Sequence, residues 1–166
     1  HGVLSFSLDG TILGYTYNGI RDGNVIRGDW QTVTLFETNT RTTILDKVGK
    51  GAQALAISSN NEWLATSRES SSNSIIEIYA LASGKKLLDI DAGCTALTFS
   101  SNGQLIFCGT RNGTLQIWEI ETQENLFEVR AHKDEILQLV LSPDGTLLGS
   151  TSIDGSTSLW SIWPAP

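Results

Sequence analysis

Four stretches of the chain share one order of apolar and polar positions. Each has an alternating run ending in Ser, a turn, a second apolar run, another turn, and a third run ending in an aromatic residue. The first runs are VLSFS (3–7), ALAIS (54–58), ALTFS (96–100) and LVLS (139–142), and the second are TILGYT (11–16), EWLATS (62–67), QLIFCGT (104–110) and TLLGSTS (146–152). The third runs are TVTLF (32–36), IIEIY (75–79), TLQIW (114–118) and STSLW (156–160). Short alternating runs rich in β-branched and aromatic residues predict strands.

The turns between these runs have the chemistry of tight hairpins. Five Asx-Gly pairs provide the left-handed backbone positions that such turns need, at residues 9–10, 102–103, 112–113, 144–145 and 154–155. A weaker fourth run follows three of the aromatic residues, at TTIL (42–45), KKLLDI (85–90) and NLFEV (125–129). Each stretch therefore predicts a four-stranded antiparallel meander.

The stretches recur with a nearly constant period. Ser7, Ser58, Ser100 and Ser142 are 51, 42 and 42 residues apart, and the closing aromatic residues are 43, 39 and 42 apart. Such a sheet has two apolar faces that it cannot bury alone, so neighbouring units must stack. A period of about 40–45 residues is typical of a propeller blade. We therefore predict an all-β fold, a β-propeller arc of four four-stranded antiparallel blades, the last lacking its outer strand.

The predicted blades cover approximately 1–46, 48–90, 92–130 and 132–166 of the sequence. An open arc leaves unpaired strand edges and two uncovered blade faces, which are sites of association. We therefore expect further propeller blades, from the parent chain or from a second chain, to complete the ring.

The last stretch resembles the WD-repeat family most closely. It contains Ala131-His132, SPDG (142–145), LLGSTSIDG (147–155) and SLW (158–160). The resemblance implies a hydrogen-bonded structural tetrad of His132, Ser152, Asp154 and Trp160. The third stretch keeps a partial tetrad, Thr110, Asn112 and Trp118. Membership in this family implies a non-enzymatic scaffold that binds a protein or peptide.

Composition narrows the possible partners. Hydrophobic residues make up 40% and charged residues 17% of the 166 residues, which is typical of a globular chain. The net charge of −7 argues against binding to nucleic acid, because phosphate binding requires clustered Lys and Arg. The sequence shows neither a run of about 20 apolar residues nor a signal peptide. With only two cysteines, it predicts a cytoplasmic protein that does not bind a membrane.

Few residues suggest catalysis or a cofactor. His132 and Asp154 could form an acid–base pair, but they coincide with the implied tetrad and no nucleophile accompanies them. No metal site is expected, because no second His or Cys stands at ligand spacing. We predict no catalytic residues and no cofactor. If Phe99 pairs with Leu105, Ala96 lies opposite Cys108, so the sulfurs of Cys94 and Cys108 share a face but lie diagonally across the two strands. We therefore expect two core thiols rather than a disulfide.

An insertion at residues 18–31, NGIRDGNVIRGDWQ, is the strongest candidate for a binding segment. It carries Arg21, Asp22, Arg27, Asp29 and Trp30, and Trp and Arg are common interface anchors. Two interpretations remain open: a binding loop with an exposed Trp30, or a hairpin extension in which Val25, Ile26 and Trp30 pair over the first blade.

Loops at one end of the blades provide a second set of candidates. In the family, the loops before the first strand and after the second gather on the usual partner face. That face would carry Arg68, Glu69, Arg111, Lys133, Asp134 and Glu135. Its mixed charge favours protein or peptide recognition, although an ordinary solvated surface accounts equally well for the same residues. A different hypothesis is a sensor or regulatory module of a larger multidomain protein whose effector domain lies outside this chain.

Overall fold

The computed structural model describes residues 3–17, 20–22, 25–27, 32–69 and 74–162. All regular elements in these ranges are strands. The first half contains β1 Leu4–Phe6, β2 Ile12–Tyr17, β3 Ile20–Asp22, β4 Val25–Arg27, β5 Thr32–Glu37, β6 Thr42–Val48, β7 Ala54–Ile57, β8 Trp63–Glu69 and β9 Ser74–Ala80. The second half contains β10 Lys86–Ile90, β11 Ala96–Phe99, β12 Leu105–Gly109, β13 Thr114–Glu119, β14 Asn125–Arg130, β15 Ile136–Leu141, β16 Leu147–Ser152 and β17 Thr157–Ser161.

These strands form four antiparallel sheets that correspond to the four predicted blades. Blade 1 has the order β1-β2-β5-β6, blade 2 β7-β8-β9-β10, and blade 3 β11-β12-β13-β14. Blade 4 consists of β15-β16-β17 in the described residues, and a separate hairpin joins β3 to β4. The predicted all-β arc of four blades is confirmed.

A repeated side-chain motif forms the turn between the first two strands of every blade. Ser7, Ser58, Ser100 and Ser142 each donate a hydrogen bond to an Asp or Asn two residues later. The same four hydroxyls each accept the backbone N–H five residues later, at N···O distances of 2.9 Å. This local network explains the period of the serines in the sequence, because each turn depends on its own Ser and Asx.

Each interior boundary between blades is an apolar layer. We name the side of a blade that faces the preceding blade its front face, and the side that faces the following blade its end face. Val33 and Leu35 on the end face of blade 1 pack with Leu55 and Leu64 on the front face of blade 2. Two further clusters join blade 2 to blade 3 and blade 3 to blade 4. The innermost strands β1, β7, β11 and β15 line a central cavity of about 370 Å³.

The predicted state of the cysteines is wrong. Cys94 and Cys108 form a disulfide whose Cα atoms are 5.4 Å apart. The actual register pairs Phe99 with Ile106 and Leu97 with Cys108, one residue away from the predicted register. Cys94 precedes β11, so the pairing of β11 with β12 does not set the distance between the two sulfurs.

The insertion forms a short hairpin in its described part. Ile20 pairs with Arg27, Arg21 with Ile26, and Asp22 with Val25. This backbone pairing agrees with a hairpin extension. Asp29 and Trp30 lie outside the described residues, so the exposure of Trp30 stays a prediction.

Candidate protein-binding face

A chain of hydrogen bonds crosses blade 4 from its third strand, β17, to the loop after β16. Trp160 Nε1 donates to Ser150 Oγ (3.1 Å), and Ser150 Oγ lies 2.7 Å from His132 Nε2. On the other side of the imidazole ring, His132 Nδ1 lies 2.6 Å from Ser156 Oγ. That hydroxyl donates to Asp154 Oδ1 over 2.6 Å. Since each hydroxyl has one proton, the chain is consistent if Nδ1 carries the imidazole proton and Nε2 accepts from Ser150. His132 is buried and both of its nitrogens are occupied, which is a structural use.

Ser152 is not the serine of this network, so the implied tetrad requires a correction. Its hydroxyl instead donates to the backbone oxygen of Asp134 over 3.0 Å. Ser150 and Ser152 point to the same face of β16 because side chains alternate along a strand. Only Ser150 lies opposite Leu139, near enough to both His132 and Trp160. Ser156, which sequence reasoning did not include, completes the path to Asp154.

The partial tetrad of blade 3 is also not a connected set. Thr110 Oγ1 donates to Asn112 Oδ1 within the turn, whereas Trp118 Nε1 donates to Gln116 Oε1 over 3.1 Å. Gln116 in turn donates to Glu128 on the outer strand over 2.9 Å. The position equivalent to Ser150 is Cys108, which the disulfide occupies. Blade 3 therefore satisfies its Trp N–H within β13, through Gln116, whose own amide is held by the outer strand.

Blade 2 uses a charged version of this outer connection. The Tyr79 hydroxyl donates to Glu77 Oε2 over 3.0 Å, and Lys86 Nζ on β10 lies 3.6 Å from Glu77 Oε1. Burial and this bond to the Glu77 carboxylate raise the pKa of Tyr79 well above its usual value of 10.0. The residue two positions before the closing aromatic thus anchors the outer strand in blades 2 and 3.

Asp154 holds the loop that precedes β15. Its side chain is only 12% exposed and accepts the Lys133 backbone N–H over 2.7 Å, as well as the hydroxyl and backbone N–H of Ser156. The Ser156 hydroxyl, followed by the Lys133 N–H, holds the pKa of Asp154 well below the usual 3.8. A carboxylate that stays ionised here fixes the path of residues 132–134.

Backbone hydrogen bonds join the loops at this end of blades 3 and 4 into one surface, which we call the loop face: residues 110–113, 131–135 and 153–156. Backbone N–H groups of Ala131 and His132 donate to Gly113 O, and Ile136 N–H donates to Thr110 O. A Cβ on Gly113 would lie 2.6 Å from Asp134 O, so only glycine fits beneath this loop. Ile153 N–H also donates to Glu135 O.

The loop face exposes charged and apolar side chains together. Arg111, Lys133 and Asp134 are exposed, Glu135 is half-buried, and Ile153 is 54% exposed. Ile153 occupies the turn position in blade 4 that Arg111 occupies in blade 3, and sequence reasoning did not include it. A cavity of about 350 Å³ opens here, lined by Arg130, Ala131, His132, Lys133, Asp154 and Ser156.

The remaining predicted binding residues lie elsewhere. Arg68 is near the end of β8 in blade 2, where its Nη2 lies 4.0 Å from Glu77 Oε1, and Glu69 is the last residue of that strand. Arg21 and Asp22 lie on β3, and Arg27 on β4. The structure therefore brings together Arg111, Lys133, Asp134 and Glu135, but it describes no contact that adds the insertion to them.

No group of three or more possible metal ligands occurs among the described residues. The same part of the chain contains no helix long and apolar enough to cross a membrane.

Comparison with known proteins identifies the repeat. Residues 85–119 and 123–161 match the family description "WD domain, G-beta repeat". Each match covers the outer strand of one blade and the first three strands of the next. Human WD repeat-containing protein 90 is 33% identical over 112 residues, covering 65% of this chain and 6% of that protein. The zebrafish p21-activated protein kinase-interacting protein 1-like is 26% identical over 107 residues, covering 64% of this chain and 29% of that protein.

A solved structure of the mitotic checkpoint complex contains a chain with the same fold. It superposes with a TM-score of 0.71 at 15% identity, covering 95% of this chain and 48% of that chain. The stacked blades and their polar anchors define a β-propeller repeat protein. Two of its repeats match the WD-repeat family model, and many of the proteins similar to it are WD-repeat proteins. It spans much less than two thirds of the two relatives above.

Proposed function

We propose that this WD-repeat segment is a non-enzymatic scaffold that binds a protein or peptide through the loop face. WD-repeat propeller domains are commonly found in protein-interaction scaffolds. The observation that carries the proposal is the combination of loops joined by backbone hydrogen bonds with exposed Arg111, Lys133, Asp134 and Ile153. A pre-organised surface loses little conformational entropy on binding, and an apolar residue surrounded by charged groups is a common interface anchor.

The names of two similar proteins agree with this proposal. One is named a p21-activated protein kinase-interacting protein, and the other is a chain in the solved structure of the mitotic checkpoint complex. Both charge signs occur on the loop face, which suits a peptide that carries both charges better than a polyanion. We therefore propose protein or peptide partners rather than nucleic acid or membrane.

The experiment is selection of binding peptides from a displayed random library against the 166-residue chain, followed by affinity measurements on variants. Ile153→Ala and Lys133→Glu are expected to weaken selected peptides by about tenfold or more, as for interface anchors. The matched control is Gln104→Ala, at the turn between β11 and β12 on the opposite end of the blades. Peptides that bind equally well to all three variants would contradict the proposed face.

A second candidate function is a sensor or regulatory module of a larger protein. The observation in its favour is the small share, 6%, that this chain covers of WD repeat-containing protein 90. In that case the loop face would contact another domain of the same parent chain. The complete parent sequence, followed by the same loop-face substitutions in the full-length protein, separates this function from a scaffold for external partners.

The cytoplasmic location stays a prediction. The low cysteine count no longer supports that prediction, because Cys94 and Cys108 form a disulfide and such bonds persist mainly in oxidising compartments.

A further inference from the structure

The guanidinium of Arg130 is held in a fixed orientation by the loop that follows it. Its Nε donates to His132 O over 2.9 Å, and its Nη2 donates to Lys133 O over 3.0 Å. A guanidinium has five N–H donors, so these two bonds leave three, with at least one on each terminal nitrogen. Two N–H donors side by side match the two oxygens of a carboxylate. The end of the Arg130 side chain is therefore a fork of donors whose direction is already set.

Arg130 lines the cavity of about 350 Å³ at the interior boundary between blades 3 and 4. Lys133 lines the same cavity, and both cationic residues are exposed. Among the described residues that line it, Asp154 provides the single carboxylate. Its two oxygens already accept the Lys133 N–H and the N–H and hydroxyl of Ser156. The cavity wall thus has an excess of positive charge, in a chain whose net charge is −7.

The blade fold does not require a cation at this position. Arg130 follows Val129, which pairs with Leu115 on the third strand of blade 3. One residue after the equivalent pair, blade 2 has Asp91 and blade 1 has Gly49. Both of those blades connect to the next one without an arginine at this point, so blade packing does not account for Arg130. Of the three interior boundaries, the one between blades 3 and 4 is therefore the one suited to an anionic group.

We propose that Arg130 and Lys133 bind a carboxylate of the partner, from an Asp or Glu side chain or from a chain terminus. The Arg130 fork takes the two carboxylate oxygens, and Lys133 adds a second positive charge to the cavity. Ile153 directly precedes Asp154, so a peptide that contacts Ile153 also reaches this cavity. The inference rests on the proposed function only in assigning the carboxylate to a peptide or protein. Because the guanidinium is already oriented, little entropy is lost when the carboxylate binds.

Nuclear magnetic resonance of the 166-residue chain with small carboxylates tests the site without a peptide partner. The probes are N-acetylglutamate α-amide, which has a side-chain carboxylate, and N-acetylalanine, which has a terminal one. The uncharged control is N-acetylglutamine α-amide. At millimolar concentrations we expect both carboxylates to shift the backbone amide signals of residues 130–133 and 154–156, and the control to shift none of them. The probe that binds more tightly identifies the source of the carboxylate.

Two variants assign the binding to the two cations. Arg130→Gln removes the fork and is expected to weaken the better probe by about tenfold. Lys133→Gln is expected to weaken it less, and it keeps both bonds of Arg130, because these use backbone oxygens. It therefore provides a second measurement if Arg130→Gln fails to fold. Lys50→Gln is the matched control, since Lys50 is an exposed lysine in the loop before β7, at the boundary between blades 1 and 2.

The inference is overturned if neither carboxylate shifts these signals, or if the shifts persist unchanged in both variants. It is also overturned if peptides selected on the loop face depend on Ile153 but bind equally well after every carboxylate in them is amidated. That result leaves the proposed function intact. Probe binding that depends on Arg130, in a chain that selects no peptide, would instead support the carboxylate site and contradict the proposed function.

Discussion

The polar chain of blade 4 shows how individual residues satisfy buried groups. Trp160, Ser150, His132, Ser156 and Asp154 each donate to the next or accept from the previous one, so no N–H among them lacks an acceptor. Ser150 is central because it accepts from Trp160 and donates to His132. Its loss leaves two partners unsatisfied in a buried place, which costs more than the loss of a surface hydrogen bond.

Ser150→Ala is expected to lower the free energy of unfolding by about 1–3 kcal/mol. Ser158→Ala is the matched control, because Ser158 lies directly opposite Ser150 on β17 but outside the polar chain. Its effect should stay within about 0.5 kcal/mol. Urea unfolding followed by tryptophan fluorescence measures both. Equal midpoints for the two variants would contradict the assigned network.

The first turn of each blade is an element in which Asp and Asn have the same structural role. Asp144 accepts from Ser142 and from the Thr146 N–H, and Asn102 accepts from Ser100 and from the Gln104 N–H in the same way. The Ser142 hydroxyl, followed by the Thr146 N–H, lowers the pKa of Asp144 below its usual value of 3.8. Only the Asp turns therefore link folding to pH.

Asp144→Asn is expected to reduce the loss of stability in acid. Because the folded pKa of Asp144 is lowered, its contribution is complete above the unfolded pKa and is lost as the pH falls through the folded value. The difference in urea midpoint between neutral pH and pH of about 3 should therefore shrink. Asn102→Asp, which places the carboxylate in the equivalent turn of blade 3, should enlarge it. An unchanged difference in both variants would contradict the assigned cause.

The Cys94–Cys108 disulfide ties the loop before β11 to β12, with a sequence separation of 14. Closing a loop of this length stabilises a fold by roughly 3 kcal/mol through the unfolded state. We therefore expect dithiothreitol to lower the free energy of unfolding by about 2–4 kcal/mol. The Cys94→Ala/Cys108→Ala double variant should be insensitive to reductant. Two free thiols in the oxidised protein, counted by alkylation and mass spectrometry, would contradict the bond.

At the scale of the whole molecule, stability depends on the fit between blades. A Cβ on Gly109 would lie 2.5 Å from Ile136 Cγ2, so blades 3 and 4 approach closely at a position that has no side chain. Cys94 N–H also donates to Ser67 Oγ across the boundary between blades 2 and 3. Each blade is therefore positioned by its neighbours.

Gly109→Ala is expected to lower the free energy of unfolding by about 1–3 kcal/mol, as overpacked core sites do. In an Ile136→Ala background the same change should cost less, because the clashing Cγ2 is absent. The interaction energy from this double-mutant cycle is the readout, and strictly additive effects would show that the two blades do not meet at this point.

The sequence alone determined the strands, the four-blade arc and the turn motifs. These features depend on local alternation, on Asx-Gly turns and on a period, which are all readable along one chain. His132, Asp154 and Trp160 could also be placed, since each has a distinct side chain at a distinct point of the repeat.

Only the tertiary structure decided which serine joined them, the state of the cysteines and the outer anchors of blades 2 and 3. Ser150 and Ser152 share one face of β16, so the alternation of side chains cannot decide which of them joins the network. The hydrogen-bond distance to His132 selects Ser150. The register of β11 and β12 in blade 3 differs by one residue from the predicted register, so Cys108 lies opposite Leu97 instead of Ala96. Ile153 at the loop face is one apolar residue among many in the sequence. Its exposure depends on the position of a turn in three dimensions, which no local pattern contains.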